Sequence, residues 1–125
     1  MGDPRHDLGR AAEQAVAAWL VAAGWTVHAR RRRSAHGGEV DLVALDPAGV
    51  LVAVEVRARR SGRVGSAAST VDAERVDRLR RTLASVAGEI DAPHRGLRID
   101  LVTAEPEPGS ANRWRLRRIP DIGAW

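Results

Sequence analysis

Apolar residues recur at helical spacing in two stretches of the chain. Between residues 8 and 23 they stand three or four positions apart, after Asp7 and before Gly24. We expect a helix here, with Asp7 as its N-cap and Gly24 just beyond its C-terminus. A second stretch, residues 76–87, follows Asp72 and has the same period. The pattern therefore predicts two amphipathic helices.

Five other stretches have the composition of β-strands, being rich in β-branched and apolar residues between turn sequences. They are residues 25–32, 39–45, 50–58, 97–103 and 114–119. The turn at 46–49 joins the second and third strands into a hairpin, and residues 60–70 form a mobile loop rich in Gly, Ser and Ala. A helix between strands three and four allows a parallel crossover. We therefore predict an α/β fold of order αβββαββ, with a mixed central sheet flanked by helices.

The composition is that of a globular protein, since 44% of the residues are hydrophobic and 29% are charged. A chain of 125 residues is long enough for a single domain, 1–125, and too short for two. No apolar run reaches the ~18 residues of a membrane span, and no signal-peptide pattern begins the chain, so we expect a cytoplasmic protein. The absence of cysteine excludes thiolate chemistry, and a metal must bind oxygen or histidine.

The basic residues are all arginine, and the net charge is +4. Arginine is the preferred partner of phosphate groups, which favours a nucleic-acid partner. A genome that is biased towards Arg and Ala codons would produce the same composition, and both explanations stay open. Arginine is concentrated within residues 30–33, 57–63 and 75–81, which predicts a basic side of the molecule.

Two charged residues, Glu55 and Arg57, interrupt the most apolar strand of the chain. Because side chains alternate along a strand, the two point the same way, and the hairpin places Asp41 near Glu55. A structural ion pair of Arg57 with either acid is one interpretation. Burying charge costs several kcal/mol even when it is paired, however, so such positions are more often functional. Two carboxylates on adjacent strands form an oxygen site that suits Mg²⁺.

Three motifs resemble those of the YraN-like uncharacterised bacterial family, which is related to Holliday-junction resolvases of the PD-(D/E)XK nuclease superfamily. They are LGRAAE at 8–13, GGEVDLVA at 37–44 and VEVRAR at 54–59, and the resemblance extends over nearly the whole chain. It implies a restriction-endonuclease-like core in which Asp41 and Glu55 bind Mg²⁺ (or Mn²⁺). Glu13 would be an acid that the first helix places beside them, whereas the sequence without this resemblance favours a solvated helix residue. Arg57 occupies the basic position of the motif.

The function that this resemblance implies is metal-dependent endonuclease activity on DNA, including branched or structured DNA. Catalytic relatives usually carry lysine at the position of Arg57. An arginine side chain keeps its proton, so Arg57 can hold water and phosphate but cannot act as a general base. A catalytically weak or silent nucleic-acid-binding module and a protein-interaction domain are the alternatives. The resemblance also leaves a homodimer open.

The candidate nucleic-acid contacts lie next to these motifs or in the arginine-rich stretches. They are Arg31, Arg32, Arg33, His36, Arg59, Arg60 and Arg75. A solvated charged face, an exposed histidine and an ion pair of Arg75 with Asp72 or Glu74 are the competing interpretations. Trp19 and Trp25 are expected in the core, because the chain has no Phe or Tyr to fill it.

Overall fold

The computed structural model describes residues 4–59, 71–110 and 112–123. Its seven elements follow the predicted order: α1 (Pro4–Ala22), β1 (Thr26–Arg33), β2 (Glu39–Leu45), β3 (Leu51–Ala58), α2 (Ala73–Glu89), β4 (Leu97–Pro106) and β5 (Trp114–Ile119). Within those ranges, neither helix is long and apolar enough to cross a bilayer. The loop that we predicted at residues 60–70 lies outside the described residues.

The five strands form one sheet in chain order, from β1 at one edge to β5 at the other. β2 pairs antiparallel with both β1 and β3, and β5 pairs antiparallel with β4. β3 and β4 are parallel, and the connection between them contains α2. A parallel pair requires such a crossover, so the predicted α/β architecture with a mixed sheet is confirmed.

The two helices cover opposite faces of the sheet. Alternate residues of each strand point to opposite sides, so each helix contacts a different set of strand residues. α1 packs on the face that includes Leu42 and Val54. α2 packs on the face that includes Val43 and Ala53. The middle strands are therefore buried on both sides, which explains why β3 reads as a nearly continuous apolar run.

The hairpin between β2 and β3 has the predicted turn chemistry. The Asp46 carboxylate accepts the backbone N–H groups two and four residues further on, at 2.9 Å each. Gly49 has a φ of +92°, which favours glycine. This turn fixes a register in which Leu42 lies opposite Val54, and so Asp41 reaches the level of Glu55.

Three predictions made from the pattern are wrong. α1 begins at Pro4, so Asp7 lies in the first turn instead of capping the helix. Proline fits the first position of a helix because its φ is preset, so the helix begins about one turn before the predicted start. Trp19 is 38% exposed, whereas Trp25 is buried as predicted. β4 continues through residue 106, where the pattern predicted a loop, because β5 pairs with its last residues.

Candidate active site

The carboxyl groups of Asp41 and Glu55 meet where β2 begins and β3 ends. The two groups are hydrogen-bonded to each other, and Asp41 Oδ2 also accepts the backbone N–H of Val56 at 2.9 Å. Only 2% of the Glu55 side chain is exposed. Two carboxylates can share a hydrogen bond only through a proton, so the pair holds one proton between them.

The surroundings of the pair favour the protonated form of Asp41. Burial, the hydrogen bond to Glu55 and the charge of Glu55 together raise the pKa of Asp41 from 3.8 to about 8. Burial alone would also raise the pKa of Glu55, but the hydrogen bonds from Asp41 and Arg75 hold that pKa below its usual value. The raised pKa of Asp41 and the lowered pKa of Glu55 therefore favour one neutral and one ionised carboxyl group in the pair.

Arg75 reaches Glu55 from the first turn of α2. Its Nε lies 2.8 Å from Glu55 Oε2, and a second guanidinium nitrogen lies 3.2 Å from Oε1. The backbone of Arg75 is fixed as well, since its N–H donates to the N-cap residue Asp72 at 2.8 Å. The ion pair of Arg75 with Asp72 or Glu74 that we considered does not form. Arg75 instead joins α2 to the acid pair through a two-pronged charged contact.

Arg57 lies on the same side of β3 as Glu55. One of its terminal nitrogens is 3.4 Å from Glu55 Oε2, and about a third of its side chain is exposed. Its Nε is buried and has no hydrogen-bond partner within the described ranges of the chain. A buried donor without an acceptor is uncommon in proteins, and this one lies in the side chain that contacts the acid pair.

Glu13 approaches the pair from α1, and its negative charge contributes to the raised pKa of Asp41. The Glu13 carboxylate also accepts a hydrogen bond from Arg31 Nε at 3.0 Å. Arg31 has a φ of +46°, a conformation that residues with long side chains rarely adopt and that is found often at functional sites. The structure thus brings Asp41 and Glu55 together, whereas Glu13 pairs with Arg31 and acts on Asp41 only through its charge.

The remaining arginines of the 30–33 run are directed elsewhere. Arg32 binds Glu89 at the end of α2, at 3.1 Å, and Arg33 binds Glu39 at 3.4 Å. These contacts use one nitrogen of each side chain, and 40% and 76% of the two side chains are exposed. Arg32 and Arg33 therefore retain free donors for a phosphate, although they do not line the acid pair.

The other predicted contact residues are spread along the same end of the sheet. His36 is exposed on the turn between β1 and β2. Arg59 follows β3 directly, and its backbone N–H donates to Ala104 at 2.9 Å. Arg60 lies outside the described residues.

Two features of this region were not predicted from the sequence. The bond between Arg75 and Glu55 joins residues that are 20 positions apart, and no local pattern indicates it. Arg78 and Arg81, one and two turns beyond Arg75, line a pocket beside the β1–β2 turn. Arg75, Arg78 and Arg81 are three residues apart, so on a predicted helix they occupy neighbouring positions of its surface. This spacing is a signal that could have identified Arg78 and Arg81.

The donor set at Asp41 and Glu55 fits a hard divalent cation. It consists of carboxylate oxygens, and Mg²⁺ usually takes one or two protein carboxylates and fills its other positions with water or phosphate oxygens. Within the part of the chain that the structure describes, no group of three or more His, Asp or Glu residues is placed to hold a metal. A cation here would therefore depend on two protein ligands and would displace the shared proton.

A family model described as "Uncharacterised protein family UPF0102" matches residues 12–104. The match spans the acid pair, Glu13, Arg57 and Arg75. This chain is 39% identical over 109 residues to a UPF0102 protein of Symbiobacterium thermophilum, covering 87% of this chain and 91% of that protein. It is 38% identical over 115 residues to a UPF0102 protein of Deinococcus radiodurans, covering 89% and 88%. It is 39% identical over 99 residues to one of Streptomyces coelicolor, covering 78% and 75%.

Proposed function

We propose that this chain, which belongs to the uncharacterised protein family UPF0102, is a metal-dependent nuclease that hydrolyses phosphodiester bonds in DNA, including branched or structured DNA. The observation that carries the proposal is the contact between the Asp41 and Glu55 carboxyl groups. Two acids that face each other inside a protein destabilise it unless they share a proton or bind a cation. The pair therefore fits a cation, which would take the place of the shared proton.

Asp41 and Glu55 would hold Mg²⁺ or Mn²⁺, which supplies Lewis-acid polarisation of a phosphate oxygen and an activated water molecule. Glu13, whose charge already acts on Asp41, adds to the negative field that attracts a cation. We also infer that the fold is a restriction-endonuclease-like core. An acid pair on adjacent strands of a mixed sheet is the arrangement expected of a restriction-endonuclease-like core.

Arg57 would contact the scissile phosphate and the attacking water through the exposed third of its side chain. A guanidinium in this place neutralises the charge that develops on the phosphoryl oxygens during attack. It does not remove a proton from the water, because arginine remains protonated. The proton must then leave to solvent or to a carboxylate of the pair, so we expect slow cleavage.

Arg75 favours a second candidate function, a nucleic-acid-binding module with little or no cleavage. Its two bonds to Glu55 involve both carboxylate oxygens. A cation at Glu55 must compete with that ion pair. If it competes poorly, the basic surface would still bind DNA while hydrolysis would be negligible.

The two functions are separated by incubating the purified protein with linear, flapped and four-way-junction DNA in Mg²⁺, Mn²⁺ or EDTA. A nuclease cleaves at least one substrate in a divalent metal and none in EDTA, and Asp41→Asn abolishes cleavage. Glu105→Gln is the matched control, since Glu105 pairs with Arg115 on the β5 side, and it should cleave as the wild type does. Salt-dependent binding without cleavage would support the second function and overturn the first.

A further inference from the structure

A pocket of about 550 Å³ lies between the β1–β2 turn and α2, outside the acid pair. The turn contributes Ser34, His36 and two glycines, and α2 contributes Arg78, Arg81 and Thr82. No acidic residue lines the pocket within the described chain. A concave surface that carries two guanidinium groups, an imidazole and two hydroxyl groups has the chemistry of an oxyanion site.

The walls of this pocket are held in place by the protein itself. Glu89, at the end of α2, accepts the backbone N–H of Ala35 at 3.1 Å and also binds Arg32. A side chain at Gly38 would collide with Thr82, so the turn packs directly on the helix. The turn is therefore held against α2 without a ligand, and only the arginine side chains would have to be ordered on binding.

Arg78 makes no ion pair or hydrogen bond through its guanidinium within the described residues, although it lies on a helix where other arginines are paired. Arg75 binds Glu55, and Arg81 binds Asp77 at 3.1 Å. The Arg81 contact uses one nitrogen, and 72% of that side chain is exposed. Arg78 and most of the Arg81 donors are thus free to bind an anion.

The pocket and the acid pair lie at the same end of the sheet. β1 and β2 are antiparallel, as are β2 and β3, so the 34–38 turn lies at the end where β3 finishes. Asp41 follows Gly38 by three residues, and Arg78 follows Arg75 by one helical turn, a rise of about 4.5 Å. An extended strand of nucleic acid could therefore contact both sites.

We propose that this pocket binds a phosphate group of the nucleic-acid strand, next to the phosphate at Asp41 and Glu55. The inference rests on the proposed function for the identity of the ligand, but the phosphate chemistry stands on the pocket residues alone. Arg78 and Arg81 supply charge, and the Ser34 hydroxyl and His36 supply further hydrogen-bonding groups. This assigns the basic character of α2 to positioning the strand rather than to cleavage.

The first test uses inorganic phosphate in EDTA and follows the backbone amide signals of the full chain by ¹H–¹⁵N NMR. We expect saturable shifts at the 34–38 turn and at Arg78, both in the wild type and in Asp41→Asn. Arg78→Gln should abolish them. Shifts that persist unchanged in Arg78→Gln, or that occur only outside the pocket, would overturn the proposal.

The second test measures the binding of single-stranded oligonucleotides, with and without a 5′-phosphate, by fluorescence anisotropy in EDTA. Arg78→Gln should weaken binding about three- to tenfold and reduce the slope of log K against log salt by about 0.7, the value for one phosphate contact. Arg117→Gln, which changes an exposed arginine of β5, is the matched control and should have less than half that effect. Equal losses for Arg78→Gln and Arg117→Gln would overturn the proposal.

The source of the phosphate follows from the two oligonucleotides. If Arg78→Gln weakens the binding of both oligonucleotides equally, the pocket binds an internal phosphodiester. If it weakens only the binding of the 5′-phosphorylated oligonucleotide, the pocket binds a strand end. Neither experiment requires cleavage. If the protein does not hydrolyse DNA, the NMR shifts still test the pocket, and if the pocket fails, hydrolysis at Asp41 and Glu55 is unaffected.

Discussion

Two buried acidic clusters lie on opposite faces of the central strands, and their charges are arranged in opposite ways. On the α1 face, fully buried Asp100 accepts two bonds from Arg98, at 2.8 and 3.0 Å, and one from Arg118, at 2.8 Å. It also accepts the backbone N–H of Asp121 at 2.9 Å. On the α2 face, Glu55 meets a second acid, Asp41. Among the charged side chains that the structure describes, Asp100 contacts arginines alone, whereas Glu55 contacts two arginines and also a second acid whose pKa it raises.

The surroundings strengthen this contrast. Arg98 also binds Asp46 at 2.9 Å, and both Arg98 and Arg118 lie over the ring of Trp25, at 5.9 and 5.4 Å from its centre. The hydrogen bonds that Arg98 donates to Asp100 and Asp46 hold its pKa above the usual value. The Asp100 cluster ties β4, β5, the hairpin turn and the start of β1 together. The Asp100 carboxylate is thus satisfied by its own bases, whereas the pair contains an acid, Asp41, that burial and a second acid keep from ionising readily.

The largest expected effect is on stability. Asp100→Ala leaves Arg98 and Arg118 without their shared counter-charge, so the free energy of unfolding should fall by about 3 kcal/mol or more. Asp41→Asn keeps an acceptor for the Val56 N–H and can donate to Glu55, so it should change that free energy by less than about 1 kcal/mol at neutral pH. Guanidinium unfolding measures both values. Equal losses of unfolding free energy in Asp100→Ala and Asp41→Asn would contradict the difference between the two clusters.

A smaller effect is expected in the pH dependence of stability. Because the pKa of Asp41 is raised from 3.8 to about 8, the folded chain keeps a proton that the unfolded chain releases. The stabilisation is complete below about pH 4 and is lost as the pH rises to about 8. The free energy of unfolding should fall across that window by up to about 5 kcal/mol more in the wild type than in Asp41→Asn. Parallel curves for the two proteins would show that Asp41 does not carry the proton.

The smallest effect on stability is expected for Arg57→Lys. Arg57 is partly exposed and makes one long contact with Glu55, so the free energy of unfolding should change by less than about 0.5 kcal/mol. Metal binding should be preserved, because the side chain at position 57 does not ligate the metal. Cleavage should be retained or increased, since lysine can lose its proton when buried. Loss of the metal-induced rise in melting temperature in this variant would contradict the role assigned to Arg57.

The strands and the register of the hairpin could be predicted from local patterns, because each depends on residues near in sequence. Asp46 and Gly49 specify the turn, and strand alternation then brings Asp41 to Glu55. Contacts between distant segments could not be predicted in this way. Nothing near Asp100 in the sequence indicates Arg118, and nothing near Arg75 indicates Glu55. The exposure of Trp19 was also missed, because the helical period alone did not determine how far the buried face extends around α1.

Whether Asp41 and Glu55 bind a divalent cation is tested most directly by melting temperatures with and without Mn²⁺ or Mg²⁺. The proteins compared are the wild type, Asp41→Asn, Glu55→Gln and Glu105→Gln. A cation that binds only the folded state at a hundred times its Kd adds about 2.7 kcal/mol, which raises the melting temperature of a chain of this size by roughly 5 °C or more. We predict this rise for the wild type and Glu105→Gln, and no rise for Asp41→Asn or Glu55→Gln. If the wild type and Asp41→Asn respond identically to the metal, Asp41, Glu55 and Arg57 form a structural ion-pair cluster and not a metal site.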